Sequence, residues 1–576
     1  MNLSPKSNWC LANFRLALKT FCLLSAGLSL TAPDLTVAGE VSSAGTISRE
    51  TFVNPIYEQA DPWIAQAGGH YLACFAEGNR SISIQISDRL TVLGPKHIVW
   101  TAPANGPASR EVWAPELHHL DAHWYVYFAA DDGQNRDHQA WVLQSAGDDP
   151  LGPYTLHGPL YTGDDPAMVA DNRWAIDMTI LELDHRRYAI WSGWQDDRDN
   201  QHLYIAPMRD PLTLAAPRVR LCANDDHLWE RVDERPEGRG LNEGPEILQH
   251  EGRTFLAYSC SGSWQPSYKI GMLELRPGGN PLVPADWKKF AAPVFQSSAT
   301  TFGVGHNSFV KSPDGTQDWL VYHAKWSRSD GWQRTVFIQP FHWHADGTPE
   351  LGSPIAAGQP QPLPSGEKVP LVAGEKDYSF DNPNSLEGWA YYGHHQMIWL
   401  RNGSLHLGGL RSPGANDFRT GEKVVVDGGF WTDFAATVKM HLLDRTGEAG
   451  MLFRVQLPAV GYNAQCGYYA GIQAASSRAV LGFTDGKNWH ELASVPLPAA
   501  APDTLTLSVE ASGGHLQVGI QDKILIEATD TTYPAGSIGL RVVDTHAAFS
   551  DLHIKPLDLS WNDKIETIGR PTNGRR

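Results

Sequence analysis

The chain has 576 residues, too many for one ordinary domain, and its 42% hydrophobic content is that of a globular protein. A formal net charge of −18 excludes nucleic acid and anionic membrane surfaces as partners, because both attract a basic surface. No uninterrupted apolar run reaches the roughly 18 residues of a spanning helix, so membrane insertion is not expected.

Residues 1–38 read as a secretory signal. Arg15 and Lys19 precede the apolar segment from Phe21 to Leu30, and Thr36-Val37-Ala38 offers a small-residue cleavage site after Ala38. The protein is therefore expected to be secreted or periplasmic. Cys10 and Cys22 fall within the signal. Cys74, Cys222, Cys260 and Cys466 remain, with neither CxxC nor zinc spacing. One bridge among them is open in an oxidising compartment, but buried free thiols are the expected state. Residues 39–52 form a polar leader.

From 53 to 360 one pattern returns five times. A polar residue opens a short apolar strand, turn residues follow, and then comes a strand rich in Tyr and Trp. The openers are Asp61, Glu116, Asp177, Glu243 and His306. Their period of about 60 residues, with four short strands per repeat, predicts a five-bladed β-propeller. Residues 361–374 are Pro-rich and read as a linker, since closely spaced prolines oppose both sheet and helix. Residues 375–556 alternate apolar and polar over many short strands, as in Ala435-Ala436-Thr437-Val438-Lys439-Met440, which predicts a β-sandwich. Residues 557–576 form a polar tail. The fold class is all-β throughout.

In a propeller the first strand of each blade lines the central channel, so the five openers converge on one axis. Cleaving a glycosidic bond needs two carboxyl groups in different protonation states, and surroundings that push their pKa values apart. Asp61, Asp177 and Glu243 around one axis repel, so at least one holds its proton near neutral pH and can act as an acid. Asp177 stands out, because it is the lone carboxylate of an apolar strand, a placement costing several kcal/mol without partners or a job. The others have plain structural readings. Asp61 before Pro62 suits a turn, Glu116 can bond backbone at a blade opening, and His306 can be a satisfied core histidine. Their shared register is what makes them a set. The 21 Trp and 18 Tyr suit stacking on sugar rings as well as filling β cores.

The motifs Asn54-Pro55 with Ala60-Asp61-Pro62, Trp113-Ala114-Pro115-Glu116, Trp174-Ala175-Ile176-Asp177, Asn242-Glu243-Gly244-Pro245 and Gly305-His306-Asn307-Ser308-Phe309 resemble glycoside hydrolase family 43 over about residues 53–355. The resemblance implies Asp61 as general base, Glu243 as general acid and Asp177 as the residue that tunes and holds the acid. It implies inversion at the anomeric carbon. It places Phe75 and Trp113 as apolar walls of the subsite for the terminal sugar, groups Glu116 with the substrate-binding residues, and gives Arg334 contacts to sugar hydroxyls. His306 matches an axial histidine that helps hold a structural calcium ion, through water, and no cofactor is needed for the chemistry.

The phrases Trp113–Asp131, Trp174–Trp194 and Gly305–Gly315 are most similar to the exo-acting α-L-arabinofuranosidase branch, whose substrates are plant cell-wall polysaccharides or oligosaccharides. Met178 departs from the Gly expected after the aspartate, and Arg334 to Pro340 is more similar to the β-D-xylosidase branch. Tyr378-Ser379-Phe380-Asp381-Asn382 resembles the opening of a concanavalin-like sandwich. The rival of another class is a non-catalytic sugar-binding propeller, which has no need of Asp61, Asp177 and Glu243 together. A sialidase needs repeated Ser-x-Asp-x-Gly-x-Thr-Trp turns, and a fructan hydrolase an Asn-Asp-Pro opening. Neither is present.

Overall fold

A computed structural model describes residues 49–169, 172–325, 327–409, 420–497 and 503–557. The signal, most of the leader and the tail beyond Leu557 lie outside the described residues. Among the described residues there are no α-helices, only strands and short 3-10 turns.

Five antiparallel sheets follow one another in the chain, each a meander of consecutive strands, and they form the five blades. The inner strands are Trp63–Ala67, Arg110–Leu120, Ala175–Leu183, Asn242–His250 and Phe302–Lys311. Blades pack face to face, so both faces of a middle strand are buried. In His70–Glu77, Tyr71, Ala73 and Phe75 meet Val310, Trp319, Val321 and Val336 of the fifth blade. Leu72 and Cys74 turn the other way, onto Leu117, Val126 and Phe128 of the second. Covering on both sides is why these strands read as unbroken apolar runs.

The inner strands share one irregularity. Asp61, Ala114, Asp177, Gly244 and His306 all have left-handed backbones, with φ of 51°, 42°, 54°, 52° and 45°. In four blades the strand register slips at that point, between Trp113 and Glu116, Ile176 and Thr179, Glu243 and Glu246, and Gly305 and Ser308. Such a bulge re-aims a side chain. Holding a residue with a Cβ in this conformation costs roughly 1–2 kcal/mol, and its repetition around one axis marks that axis as the place where side-chain direction matters.

The ring is closed by the segment before the first blade. Asn54 Nδ2 donates to the Ile338 carbonyl at 2.8 Å, and the Ile338 N–H donates to Asn54 Oδ1 at 3.0 Å. Tyr57 pairs with Val336 beside it. The Pro-rich stretch read as a linker is docked on the propeller. Gln361–Pro362 pairs with Thr51–Phe52, and Glu367 takes the Arg89 guanidinium at 3.1 Å and the Leu90 N–H at 2.9 Å. Proline is tolerated here because this two-stranded ribbon is all edge.

The second domain is a sandwich of an eight-stranded and a seven-stranded sheet, with strands from Lys376–Tyr378 to Ala547–Pro556. Its core gathers Trp389, Trp431, Phe453, Leu507, Leu540 and Phe549. It is bonded to the propeller. Arg89 Nη1 meets Asp427 Oδ1 at 2.5 Å, Val92 packs with Ala390, Tyr392 and Val425, and the Val460 N–H donates to the Pro55 carbonyl at 3.1 Å. The four described cysteines are free thiols. Cys74, Cys222 and Cys260 are buried, whereas Cys466 is only partly so.

Candidate active site

The inner-strand openings of all five blades line one pocket of about 680 Å³, through Asp61, Ala114, Asp177, Glu243 and His306. Bulges in four blades, and the left-handed backbone of Asp61 in the first, turn the strand openings toward the axis. Each carboxylate then meets different surroundings.

Asp61 is ringed by nitrogen. Its Oδ1 lies 3.1 Å from Arg334 Nη1, 3.2 Å from His323 Nδ1 and 3.3 Å from His306 Nδ1. Burial by itself raises its pKa, but the Arg334 charge, then His306 and His323, outweigh burial and hold the carboxyl well below the usual range. Burial lowers His306 against the pull of Asp61, and lowers His323 to about 3.

Glu243 is placed oppositely. Burial pushes it up to about 7, although the Tyr268 hydroxyl donates to its Oε1 at 2.8 Å and so favours the carboxylate. Asp177 is pushed well up by burial and then by the charges of Glu243 and Asp61, while the Gly244 N–H donates to its Oδ2 at 3.0 Å. The three carboxyls thus divide into one held ionised and two that retain protons more readily. Glycine suits position 244 on two counts. Its φ is +52°, and a Cβ there would stand 3.3 Å from the His306 ring.

Aromatic walls surround the carboxyls. The Trp113 indole N–H donates to Glu111 Oε2 at 3.1 Å, and its ring stacks on His138 with centroids 4.0 Å apart. Trp174 stacks on Trp194 at 4.6 Å. Across the mouth, Trp264 and Trp332 lie 5.7 Å apart, and Arg239 sits over Trp264 while pairing with Asp199.

The structure therefore brings Asp61, Asp177, Glu243, His306, Arg334 and Trp113 together. Two expectations need correction. Phe75 is fully buried between the first and fifth blades, against Tyr57 at 5.4 Å, and is no wall of the pocket. Glu116 lies two residues past the second blade's axial position, which Ala114 takes. It is 4% exposed, does not line the pocket, and faces His118 Nε2 at 3.1 Å. The calcium expectation at His306 also lacks a ligand set. Calcium takes roughly 6–8 oxygen ligands. His306 Nδ1 is turned to Asp61 beside a guanidinium, and among the described residues no group of three or more His, Cys, Asp or Glu side chains forms a metal cluster. These residues do not fit calcium.

The sequence reading missed His323, Tyr268, Trp264 and Trp332. His323 carried the same signal as Asp177, a polar residue at the end of the apolar run Trp319-Leu320-Val321-Tyr322. Tyr268 and the two tryptophans sit in or beside loops without periodicity.

A propeller whose axial pocket holds carboxyls of opposed protonation belongs to the class of sugar-cleaving hydrolases. More narrowly, the chain belongs to the glycosyl hydrolases family 43, whose family model matches residues 52–349. It is 33% identical over 323 residues to an alpha-L-arabinofuranosidase 43 of Humicola insolens, covering 54% of this chain and 64% of that one. It is 33% identical over 363 residues to an extracellular exo-alpha-(1->5)-L-arabinofuranosidase of Streptomyces avermitilis, with 60% and 71% covered. A protein of the same description from Streptomyces chartreusis is 34% identical over 284 residues, with 48% and 82% covered. The match thus spans less than two thirds of the Humicola relative and more of the other two.

Proposed function

We propose that this protein is a secreted, inverting exo-acting α-L-arabinofuranosidase that removes terminal arabinofuranose from arabinan or arabinoxylan side chains. The observation that carries the catalytic reading is the contrast between Asp61, held ionised, and Glu243, held near neutrality, in one pocket. The sugar and the extracellular location are inferred from the relatives' descriptions.

Asp61 takes a proton from a water molecule as the water oxygen bonds to the anomeric carbon. Glu243 gives its proton to the glycosidic oxygen as that carbon–oxygen bond breaks. The products are the inverted free sugar and a shortened chain. Asp61 is left protonated and Glu243 ionised, and exchange with solvent restores both. Asp177 accepts from the Gly244 N–H and so fixes the backbone turn that carries Glu243, while the Asp61 charge adds to the proton affinity of Glu243. Arg334 keeps Asp61 ionised and is placed to meet sugar hydroxyls. Trp113 and Trp174 offer flat faces to the ring.

The stretch from Arg334 to Pro340 favours a β-D-xylosidase as the second reading. Hydrolysis of an aryl α-L-arabinofuranoside and an aryl β-D-xyloside by the purified protein decides between them. Faster cleavage of the arabinofuranoside is expected. Faster cleavage of the xyloside overturns the choice of sugar, and cleavage of neither overturns the exo-glycosidase reading.

A further inference from the structure

One pocket residue does not come from the propeller. Gln396, in the 3-10 turn His395–Met397 of the sandwich, lines the catalytic pocket with Glu58, Gln59 and Asp61. The turn is fixed from both domains. On the propeller side, His394 forms a parallel bridge with Glu58, three residues before Asp61. On the sandwich side, His394 Nδ1 lies 2.7 Å from Glu422 Oε1 and 3.0 Å from Thr420 Oγ1, and Glu422 is buried. The Met397 N–H donates to the His394 carbonyl at 2.8 Å, and the Gly408 N–H to the Met397 carbonyl at 2.8 Å. Met397 itself is buried.

Gln396 itself remains exposed. Its amide packs over the turn at Gly78, where a Cβ would stand 3.2 Å from Nε2. The next residue, Asn79, also lines the pocket and donates to Glu111 Oε2 at 2.9 Å, the oxygen that takes the Trp113 indole N–H. Gln396 therefore continues the wall that carries Trp113. A carboxamide has two donor hydrogens and one acceptor oxygen, and so can both give to and accept from sugar hydroxyls. An anchored turn that presents an exposed amide into a pocket is the build expected of a ligand-contacting residue.

We infer that the sandwich completes the catalytic pocket and that Gln396 is a substrate-binding residue, so the second domain takes part in choosing the sugar. The inference rests on the pocket being a carbohydrate site but not on which sugar it takes.

The test uses the full-length protein and its Gln396→Ala, Gln396→Arg and Lys523→Ala variants. Lys523 is an exposed sandwich residue outside the pocket. Arabino- and xylo-oligosaccharides are titrated by tryptophan fluorescence, which Trp113, Trp174, Trp264 and Trp332 should report, and KM and kcat are measured on whichever aryl glycoside the wild type cleaves. Loss of one neutral hydrogen bond predicts binding weakened about three- to tenfold in Gln396→Ala, with KM rising in step and kcat little changed. Gln396→Arg should weaken binding at least as much, and Lys523→Ala should match the wild type. Tm should be unchanged in all three. Wild-type affinity in both Gln396 variants overturns the inference, as does failure of the wild type to bind either oligosaccharide. A xylose preference with weakened Gln396 variants would instead overturn only the choice of sugar.

Discussion

The Tyr268 hydroxyl donates to Glu243 Oε1 across 2.8 Å, and this bond opposes the burial that pushes Glu243 up to about 7. The phenol keeps its proton throughout, because burial and the Glu243 charge raise its own pKa well above the ordinary value. Tyr268→Phe removes a donor that favours the carboxylate, so Glu243 should hold its proton to higher pH. A general acid works only while protonated, and the basic limb of kcat/KM should therefore move upward. A profile from pH 5 to 9 reads this directly. An unmoved limb would mean that another group sets it.

Arg334 plays the reverse part for Asp61. With the guanidinium gone, burial is no longer outweighed and the carboxyl pKa climbs. In Arg334→Met the acidic limb of kcat/KM should move toward neutrality, since a base works only when ionised. The rate deficit against the wild type should be larger at pH 4.5 than at pH 7. A deficit equal at both values would restrict Arg334 to sugar binding.

Replacing the proton-transfer groups separates their roles. Asp61→Asn and Glu243→Gln should each lower kcat by about 10²-fold or more, with Tm near the wild-type value. A substrate whose leaving phenol is already acidic needs less help from the acid. It should recover part of the Glu243→Gln loss and little of the Asp61→Asn loss. Proton NMR of the first-formed product should show the inverted anomer, and retention would contradict Asp61 as base.

Much of this was legible in the sequence, and the failures share a cause. Five repeats at one period predicted five blades, and a carboxylate alone in Ile176-Asp177-Met178 marked an axial position. The bulge then defeated counting. In the second blade it adds a residue between Trp113 and Glu116, so the axial place falls on Ala114, and extrapolation from the strand body lands on Glu116. Phe75 failed for another reason. Both faces of its strand are buried, so no polar alternation indicates which aromatic faces a pocket and which faces a neighbouring blade. Gln396 left no trace, because its place in the pocket depends on how two domains dock.

At the pocket's mouth, Trp332 is 62% exposed, a large apolar area to leave in water, and it lies beside Trp264 with the Arg334 guanidinium 5.6 Å from its ring centre. Such a platform suits the sugars beyond the bond to be cut. Trp332→Ala should raise KM several-fold for arabino-oligosaccharides and much less for an aryl arabinofuranoside. Equal effects on both substrates would place Trp332 at the terminal sugar instead.

Glu116 and Glu246 are two further buried carboxyls that act on one another outside the pocket lining. Burial raises both well above the ordinary value, and the Glu246 charge raises Glu116 further. Among the described residues Glu246 Oε2 has no hydrogen-bond partner. A carboxyl whose pKa is higher folded than unfolded binds its proton more tightly in the folded state. Its contribution to stability is complete below the unfolded value of about 4.3 and is lost as the pH rises through the folded value. Glu246→Gln keeps the shape and an acceptor for the Phe309 N–H but removes the titration. The variant should melt about 2 °C or more above the wild type at pH 8 and close to it at pH 4.5. Calorimetry at the two pH values checks the sign. A variant less stable at pH 8 would show that the ionised Glu246 is paired rather than stranded.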